Sequence, residues 1–269
     1  METAPSAHWC FRGVAFYSKN PYRMCLNLTL ERFPGNDFSV NIPEQIFAAD
    51  GRKAGFLDFQ PEWSASGDQL LFDWCRPAKA AISVALAPSP LALAYTITVR
   101  NLQDKPWENT CAFPCFNQSA APDFEDRLME RTYIPTRSGL RRLFDVPRVK
   151  PPSGRPFQIF LLQGADDRVL PDFGCTNPLR ASAGYIITES RDGAWSLGMA
   201  SESPVFLFNN QEISCIHACP GFGDLRPGEQ RTRSGEIRFI KGKADDLARL
   251  FQEKFSPSTL SLQPHLRQP

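Results

Sequence analysis

Apolar and polar side chains alternate with a period of two along much of this chain, and this pattern constrains the fold more than any other feature. Between Leu91 and Val99 every second residue is a large apolar one, and alanines and threonines lie between them. Successive side chains of a β-strand point to opposite faces, so the pattern predicts a strand with one buried face. Similar runs, rich in β-branched and aromatic residues, are Tyr22–Arg32, Gln69–Trp74, Ile82–Leu86, Phe157–Gln163, Tyr185–Glu189, Trp195–Ala200, Val205–Asn209, Glu212–His217 and Gly235–Ile240.

Proline residues separate these runs. The 24 prolines are scattered between the strand-like segments, where they mark turns and do not gather into one linker. Many short strands bounded by turns predict an all-β protein built as an antiparallel sandwich or barrel. All-β folds of this length often form one domain, and we expect a single domain over residues 1–255.

One segment, Lys243–Phe255, has helical periodicity instead. Acidic residues stand near its beginning and a lysine near its end, which suits the helix dipole. Its apolar residues share one helical face, and they are Leu247, Leu250, Phe251 and Phe255. The sequence therefore predicts one C-terminal helix, followed by a flexible tail over residues 256–269 that is rich in proline and serine.

The charge balance excludes some kinds of partner. Thirty basic residues against 29 acidic ones leave a formal charge of +1, which argues against nucleic acid or an anionic membrane surface as the main partner. No apolar run approaches the length of a membrane span, and residues 1–16 lack the pattern of a signal peptide. We therefore expect a cytoplasmic protein whose eight cysteines are buried free thiols.

Residues 121–156 differ from the rest of the chain, because they carry many charges and few strand signals. Within them, Phe124–Arg131 is compatible with one or two helical turns. A long irregular connection in a compact domain is often a functional loop or a lid. The alternative is a solvated excursion that covers a sheet edge.

His217 is the only histidine away from the chain ends. Because side chains alternate along a strand, we expect Cys215, His217 and Cys219 to share one face. An imidazole with an ordinary pKa near neutrality suits a general acid or base. The alternative is a histidine that is hydrogen-bonded within the core.

A zinc ion is a further alternative for the segment Cys215–Cys219. Residues i and i+2 of a strand lie close enough to share a metal, and Cys111 or Cys115 are conceivable partners from across the sheet. The usual zinc-ligand spacings are absent from the sequence. We therefore expect no metal and no other cofactor.

Two passages resemble the galactose mutarotase-like β-supersandwich superfamily. The first is the strand Ala94–Asn101, followed by Lys105-Pro106-Trp107 and then by Ala112–Asn117, which reads AFPCFN. The second is Gly223–Glu229, which reads GDLRPGE, with the strand Gly235–Ile240 after it. The resemblance covers roughly half of the chain and implies an antiparallel β-supersandwich with one C-terminal helix. The pattern of the C-terminal third also resembles a group of uncharacterised bacterial proteins.

The resemblance implies a carbohydrate-active protein that binds a sugar on a concave sheet face. Aldose epimerases of this superfamily use histidines and a carboxylate at the sugar ring, whereas Phe113 stands here where a histidine would precede Pro114. The implied reaction is epimerisation, elimination or another proton transfer on a small-molecule sugar or an oligosaccharide. The alternative, which Phe113 favours, is a non-catalytic carbohydrate-binding module. A scaffold that pairs through a sheet face or edge is a third hypothesis.

We expect His217 to transfer the proton together with a carboxylate of the irregular segment, either Asp123 or Glu125. Glu212 is a further acidic candidate, although it lies at the opposite parity on its predicted strand. Aromatic rings pack on the apolar faces of pyranoses, amides bind hydroxyl groups, and arginines suit a uronic acid. The residues expected to contact the sugar in these ways are Trp107, Phe116, Asn117, Arg127, Arg131, Asn210, Phe222 and Asp224.

Overall fold

Two nine-stranded antiparallel sheets dominate the computed structural model, which describes residues 8–11, 13–17, 25–48, 53–55, 63–150, 154, 156–165 and 174–255. We name them sheet A and sheet B. In spatial order, sheet A consists of β1 (His8–Phe11), β2 (Val14–Tyr17), β3 (Leu26–Leu30), β4 (Asp37–Phe47), β10 (Trp107–Ala120), β17 (Cys215–Leu225), β16 (Pro204–Asn210) and β13 (Phe157–Leu161), with β5 (Lys53–Gly55) paired to β4.

Sheet B contains the strand with the clearest alternation in the sequence. In spatial order its strands are β12 (Gly139–Arg142), β11 (Thr132–Thr136), β14 (Tyr185–Glu189), β15 (Trp195–Ser201), β18 (Gln230–Lys241), β9 (Ala92–Asn101), β8 (Ala80–Ser89), β7 (Gln69–Arg76) and β6 (Ser64–Ser66). A helix, α1 (Ala244–Phe255), follows β18. The all-β, antiparallel sandwich with one C-terminal helix that the sequence predicts is therefore confirmed.

The main core lies between the two sheets. Phe38 and Phe116 of sheet A stack with ring centroids 5.4 Å apart, and Phe239 of sheet B packs edge-on against both. Trp107 and Phe222 are buried in the same core. Three of the aromatic residues expected to stack on a sugar, Trp107, Phe116 and Phe222, thus fill the space between the sheets instead of presenting a ring at the surface.

The helix α1 covers part of the outer face of sheet B. Phe251 is 1% exposed and packs on Tyr185 with ring centroids 5.8 Å apart. The carboxylate of Glu236, which is also buried, pairs with Arg238 and with Lys254 of the helix. The helix begins at Ala244, one residue later than predicted. Of the residues inferred to share its apolar face, Leu247 and Phe251 are buried and Phe255 is half-buried, whereas Leu250 is exposed.

The two passages that carry the family resemblance lie side by side in the fold. Asn101 is fully buried, and its side-chain amide donates to the carbonyl oxygens of Lys105 at 2.7 Å and Leu225 at 2.9 Å. Its main chain exchanges hydrogen bonds with the Pro-Gly-Glu turn, accepting from Gly228 and donating to Glu229. Gly228 has a φ of +77°, a conformation that favours glycine. The asparagine and the Pro-Gly-Glu turn therefore hold one junction between the sheets.

The irregular segment has more order than predicted. Thr132–Thr136 and Gly139–Arg142 form a hairpin at the edge of sheet B, and Leu143–Asp145 forms a short 3-10 helix. Phe124–Arg131 contains turns and no helix. The hairpin was missed because its strands are short, the first contains a proline and the second carries two arginines, so neither shows a clear alternation.

Other boundaries and burials also differ from the sequence predictions. The strand predicted over Glu212–His217 begins at Cys215, and Glu212 lies in the preceding turn. None of the eight cysteines, all of which lie in the described part, forms a disulfide; five are buried, Cys25 is half-buried, and Cys10 and Cys75 are exposed, contrary to expectation. The predicted tail and the first residues of the predicted strand Tyr22–Arg32 lie outside the described residues, so the domain boundary at residue 255 stays a prediction.

Within the described residues, no helix has the length and apolar character needed to cross a membrane.

Candidate functional site

The candidate site is the face of sheet A that points away from sheet B, which we call the outer face. Ile216 and Ala218 of β17 belong to the core between the sheets. Because side chains alternate, Cys215, His217 and Cys219 point to the outer face. The shared face predicted for these three residues thus agrees with the observed strand.

One end of the outer face is apolar. Phe113 lies at its centre and contacts Phe47, Phe206 and Phe208, with ring centroids 5.9, 6.0 and 5.1 Å away. Other members of this buried cluster are Cys111, Cys115, Ile159, Leu161, Cys175, Cys215 and Cys219. These side chains form a second buried apolar core on the outer face of sheet A.

The other end of the outer face is polar. The register of the strands places Asn27 opposite Ser39, Ser39 opposite Asn117, Asn117 opposite Cys215, and Cys215 opposite Asn210. We call these five residues the polar row. Asn27, Ser39 and Asn117 are half-buried, whereas Cys215 and Asn210 are buried. Hydroxyl, amide and thiol groups from five adjacent strands therefore lie in one line.

His217 stands where the apolar and polar ends meet. Its imidazole stacks on Phe113 with ring centroids 4.1 Å apart, and Phe208 packs edge-on at 4.7 Å. The family resemblance implies a histidine at position 113. Phe113 occupies that position here, and its ring packs against a different histidine, His217. His217 is 1% exposed.

Two thiols adjoin this imidazole. The Sγ atom of Cys215 lies 3.1 Å from Nε2 of His217. Cys115 lies on the neighbouring strand β10, and one donor atom from each of Cys115, Cys215 and His217 lies within 4.8 Å of the other two. We call these three buried residues the Cys–His cluster. The Nδ1 atom of His217 is buried and has no hydrogen-bond partner in the described part of the chain.

Glu44 of β4 adds a carboxylate to the cluster. The pairing of β4 with β10 is irregular between Phe113 and Cys115, which interrupts the simple alternation of β4 at this point. Burial raises the pKa of the Glu44 carboxyl, the charge of His217 opposes this shift, and the thiol of Cys115 hydrogen-bonds to the group. The sequence analysis missed Glu44, although the alternation of Phe38, Val40 and Ile42 marks a strand beside it.

The thiols of the cluster differ in their pKa values. Burial alone raises the pKa of the Cys215 thiol, but the hydrogen bond with Cys115 and the charge and hydrogen bond of His217 outweigh it and lower the pKa. The pKa of Cys115 is raised, by its hydrogen bond to Cys215 and by burial. The favoured ionised thiol is therefore that of Cys215, beside the imidazole.

The acidic residues predicted to meet His217 lie elsewhere. Asp123 accepts a hydrogen bond from Nδ2 of Asn36 at 2.8 Å, and Glu125 pairs with exposed Arg127 at 2.6 Å. The main-chain amide of Glu212 donates to Oδ1 of Asn210 at 2.8 Å, in the turn before β17. In the described residues no contact joins any of these three carboxylates to the imidazole.

Of the remaining residues predicted to bind a sugar, some lie in the polar row and the others lie away from it. Asn117 and Asn210 belong to the polar row. Arg131 donates to the carbonyl oxygen of Glu189 at 2.6 Å, which ties the irregular segment to sheet B. Asp224 accepts from the main-chain amide of Asn109 at 2.9 Å. The structure thus brings His217, Asn117 and Asn210 together and leaves Arg127, Arg131 and Asp224 in other parts of the molecule.

A cleft lies beside the hairpin of sheet B. It has a volume of about 620 Å³ and is lined by Arg137, Arg141 and Arg180, among others. These arginines already donate hydrogen bonds, Arg137 to Gln163 at 2.9 Å and Arg180 to the carbonyl oxygen of Leu162 at 3.1 Å. Their guanidinium groups hold the loops together, so this cleft is the weaker candidate.

Comparison with known proteins gives a fold and no closer relationship. No protein-family model matches the chain, and no curated protein matches it.

Several solved structures share its architecture. A galactose mutarotase related enzyme from Lactobacillus acidophilus aligns with a TM-score of 0.52 and 10% identity, over 89% of this chain and 98% of the other. An aldose epimerase homologue from C. elegans aligns with a TM-score of 0.50 and 10% identity, over 88% and 100%. An α-N-acetylgalactosaminidase from Bifidobacterium bifidum, in complex with GalNAc, aligns with a TM-score of 0.53 and 12% identity, over 92% of this chain but only 39% of that protein. The resemblance is thereby confirmed at the level of architecture: the chain has the fold of the galactose mutarotase-like proteins.

Proposed function

We propose that the protein binds a carbohydrate on the outer face of sheet A, at the polar row. The observation that carries this proposal is the row itself, in which asparagine and serine side chains line up across adjacent strands on one face of the sheet. A sugar offers hydroxyl groups that need fixed donors and acceptors of this kind. Proteins with the same fold include a galactose mutarotase related enzyme and an α-N-acetylgalactosaminidase. They support the proposal, although fold alone does not give function.

The half-buried members of the row are the groups that a ligand would reach. Oδ1 of Asn117 accepts hydrogen bonds from the main-chain amide and the hydroxyl of Ser119, at 2.8 and 2.7 Å. These bonds fix the orientation of the amide before a ligand arrives. An amide that is already held in one orientation loses little conformational entropy when a ligand binds to it.

The experiment is a binding titration, by calorimetry and by thermal shift, with neutral aldoses, uronic acids and short oligosaccharides. A sugar that binds only the native state raises Tm by mass action. Replacement of the amides in Asn27→Ala and Asn117→Ala is expected to weaken binding by about 2- to 12-fold each, the contribution of one hydrogen bond. Thr98→Ala, on the exposed outer face of sheet B, is the matched control and should leave the affinity unchanged.

Absence of binding to every sugar class would overturn the proposal, and so would equal affinity of wild type and both asparagine variants. Whether the bound sugar is also turned over is a separate question. Phe113, in place of the implied histidine, favours the non-catalytic alternative, and proton transfer by His217 stays a prediction. Measuring the rate of anomer interconversion of each sugar that binds, with and without protein, decides between the two.

A further inference from the structure

The Cys–His cluster has the composition of a metal site. Two thiols and an imidazole converge from β10 and β17, and all three residues are at most 3% exposed. Thiolate sulfur and imidazole nitrogen are the ligands that zinc prefers in proteins. We propose that the protein binds a zinc ion through Cys115, Cys215 and His217, with the carboxylate of Glu44 as the fourth donor.

The distances fit this proposal after small side-chain adjustments. Zinc–sulfur bonds of about 2.3 Å and zinc–nitrogen bonds of about 2.0–2.1 Å place tetrahedral ligands roughly 3.6–3.8 Å apart. The donor atoms of the cluster lie within 4.8 Å of one another, and the closest of these contacts, between Cys215 and His217, is 3.1 Å. Side-chain rotations of well under 2 Å at the donor atoms of Cys115, Cys215 and His217, a rough figure from those bond lengths, therefore place three of the four ligands. The carboxylate of Glu44 lies outside this group but hydrogen-bonds to Cys115, and it would turn toward the ion as the fourth ligand.

The main chain already positions the ligands. Asn117 of β10 pairs with Cys215 of β17, and Phe116 pairs with Ile216, so continued pairing brings Cys115 beside His217. Glu44 comes from β4, the neighbour of β10 on the other side. Three adjacent strands would thus be joined by one ion at the irregular point of the β4–β10 pairing.

A metal also gives a reason for burying these groups together. Two thiols and an imidazole kept in a core cost free energy unless they are paired, and an ion bound through Nε2, the nitrogen beside Cys215, would pair all three. When zinc binds, the two thiols lose their protons to solvent, and the two thiolates balance the charge of Zn²⁺. The imidazole stays neutral, and the Glu44 carboxylate adds one negative charge on the half-buried side of the site.

The spacing of the three ligands explains why the sequence predicted no metal. Cys215 and His217 are two residues apart, whereas Cys115 lies 100 positions earlier and is brought near only by strand pairing. Cys219, which shares the face and the strand, lies outside the cluster. It therefore supplies a matched control cysteine.

The first experiment measures the metal content of the full chain, purified without a histidine tag under reducing conditions and then supplied with zinc. We expect about one equivalent of tightly held zinc per chain. Replacement of zinc by cobalt(II) should give the near-ultraviolet charge-transfer absorption of cobalt bound by thiolate, together with the intense visible bands of tetrahedral cobalt. Absence of stoichiometric binding, or a cobalt spectrum without the thiolate absorption, would overturn the proposal.

The second experiment compares variants, each checked for native circular dichroism. Cys215→Ser and His217→Ala should lose zinc at concentrations that saturate the wild type, and Glu44→Gln should bind at least about 10-fold more weakly. Cys219→Ser should bind as the wild type does. Equal zinc content in all four variants, or equal loss in Cys215→Ser and Cys219→Ser, contradicts the assignment. If Cys215→Ser fails to fold, Cys115→Ser and the wild-type cobalt spectrum decide. These readouts use no sugar, so they stand or fall independently of the proposed function.

Discussion

The outer faces of the two sheets are both partly buried, but by different means. On sheet B, α1 lays an apolar stripe over Tyr185, Ile187 and Ala200, and the rest of the face carries half-buried or exposed alanine, threonine, serine and charged residues. On sheet A, the covered region includes two thiols, an imidazole and a carboxylate beside phenylalanine rings. Burying polar groups costs free energy unless they are paired.

This contrast separates packing from function within one molecule. Everything that α1 buries on sheet B is explained by apolar contact and by the paired carboxylate of Glu236. The polar groups on sheet A pair mainly with one another, although apolar residues of similar volume would fill the same space at lower cost. A polar cluster kept against that cost is where a ligand is to be sought.

The largest expected effect comes from a substitution in the interface between α1 and sheet B. Phe251→Ala removes a ring that is 1% exposed, and we expect the free energy of unfolding to fall by about 3–5 kcal/mol. Leu250, the preceding residue, is 42% exposed, so Leu250→Ala is the control and should change stability by less than about 0.5 kcal/mol. Urea denaturation followed by circular dichroism measures both. A small loss in Phe251→Ala would mean that the helix is not needed for the stability of sheet B.

A smaller effect, in the opposite direction, sharpens the comparison on sheet A. His217→Leu removes the imidazole and its unpartnered nitrogen while keeping a similar volume. Measured with a chelator and a reductant present, its free energy of unfolding should lie within about 1 kcal/mol of the wild type or above it.

The same variant should lose what zinc contributes. At a zinc concentration of 100 times Kd, the wild type gains about 2.7 kcal/mol from mass action, and His217→Leu gains none. Denaturation curves with and without zinc test both statements. If the variant is destabilised by more than about 2 kcal/mol in chelator, the imidazole has a structural role of its own and the contrast between the two faces weakens.

The smallest effect concerns the exposed part of sheet B. The hydroxyls of Thr98 and Thr232 are hydrogen-bonded at 2.7 Å across β9 and β18. Thr98→Ala removes this solvent-exposed cross-strand pair, and we expect a loss of about 0.2–1 kcal/mol. A change in Tm measured by calorimetry, with no change in sugar or zinc binding, would show that this face contributes to stability alone.

Sequence analysis predicted well those elements whose signal depends only on residues close together in the chain. Alternation in β9 and helical periodicity in α1 depend on neighbours in the chain, so both elements were found nearly at their observed positions. Asn101 and the Pro-Gly-Glu turn, which carried the family resemblance, lie together at a junction between the sheets. The hairpin of β11 and β12 was missed because both strands are short and lie at a sheet edge, where alternation is weak.

The candidate site was predicted only in part, for a related reason. The shared face of Cys215 and His217 follows from strand parity and needs no knowledge of the fold. Their nearness to Cys115 depends on the pairing of β10 with β17, and that of Glu44 on an irregularity in β4, neither of which local sequence reveals. Asp123 and Glu125 were expected near the imidazole, but the structure shows them in other contacts. No sequence pattern fixes the path of a loop, so their positions could not be predicted.

The position of β18 has a consequence for how the molecule is made. Among the described residues this strand is the last of the sheet in chain order, yet it lies in the middle of sheet B, between β15 and β9. A nascent chain that has emerged only through residue 229 would leave β9 and β15 with main-chain donors and acceptors facing a gap one strand wide. Such edges are templates for pairing with other chains, and they persist until residues 230–241 have been synthesised. On the ribosome, the time to translate and release residues 230–241 sets how long this half of the protein must be kept from pairing with its neighbours.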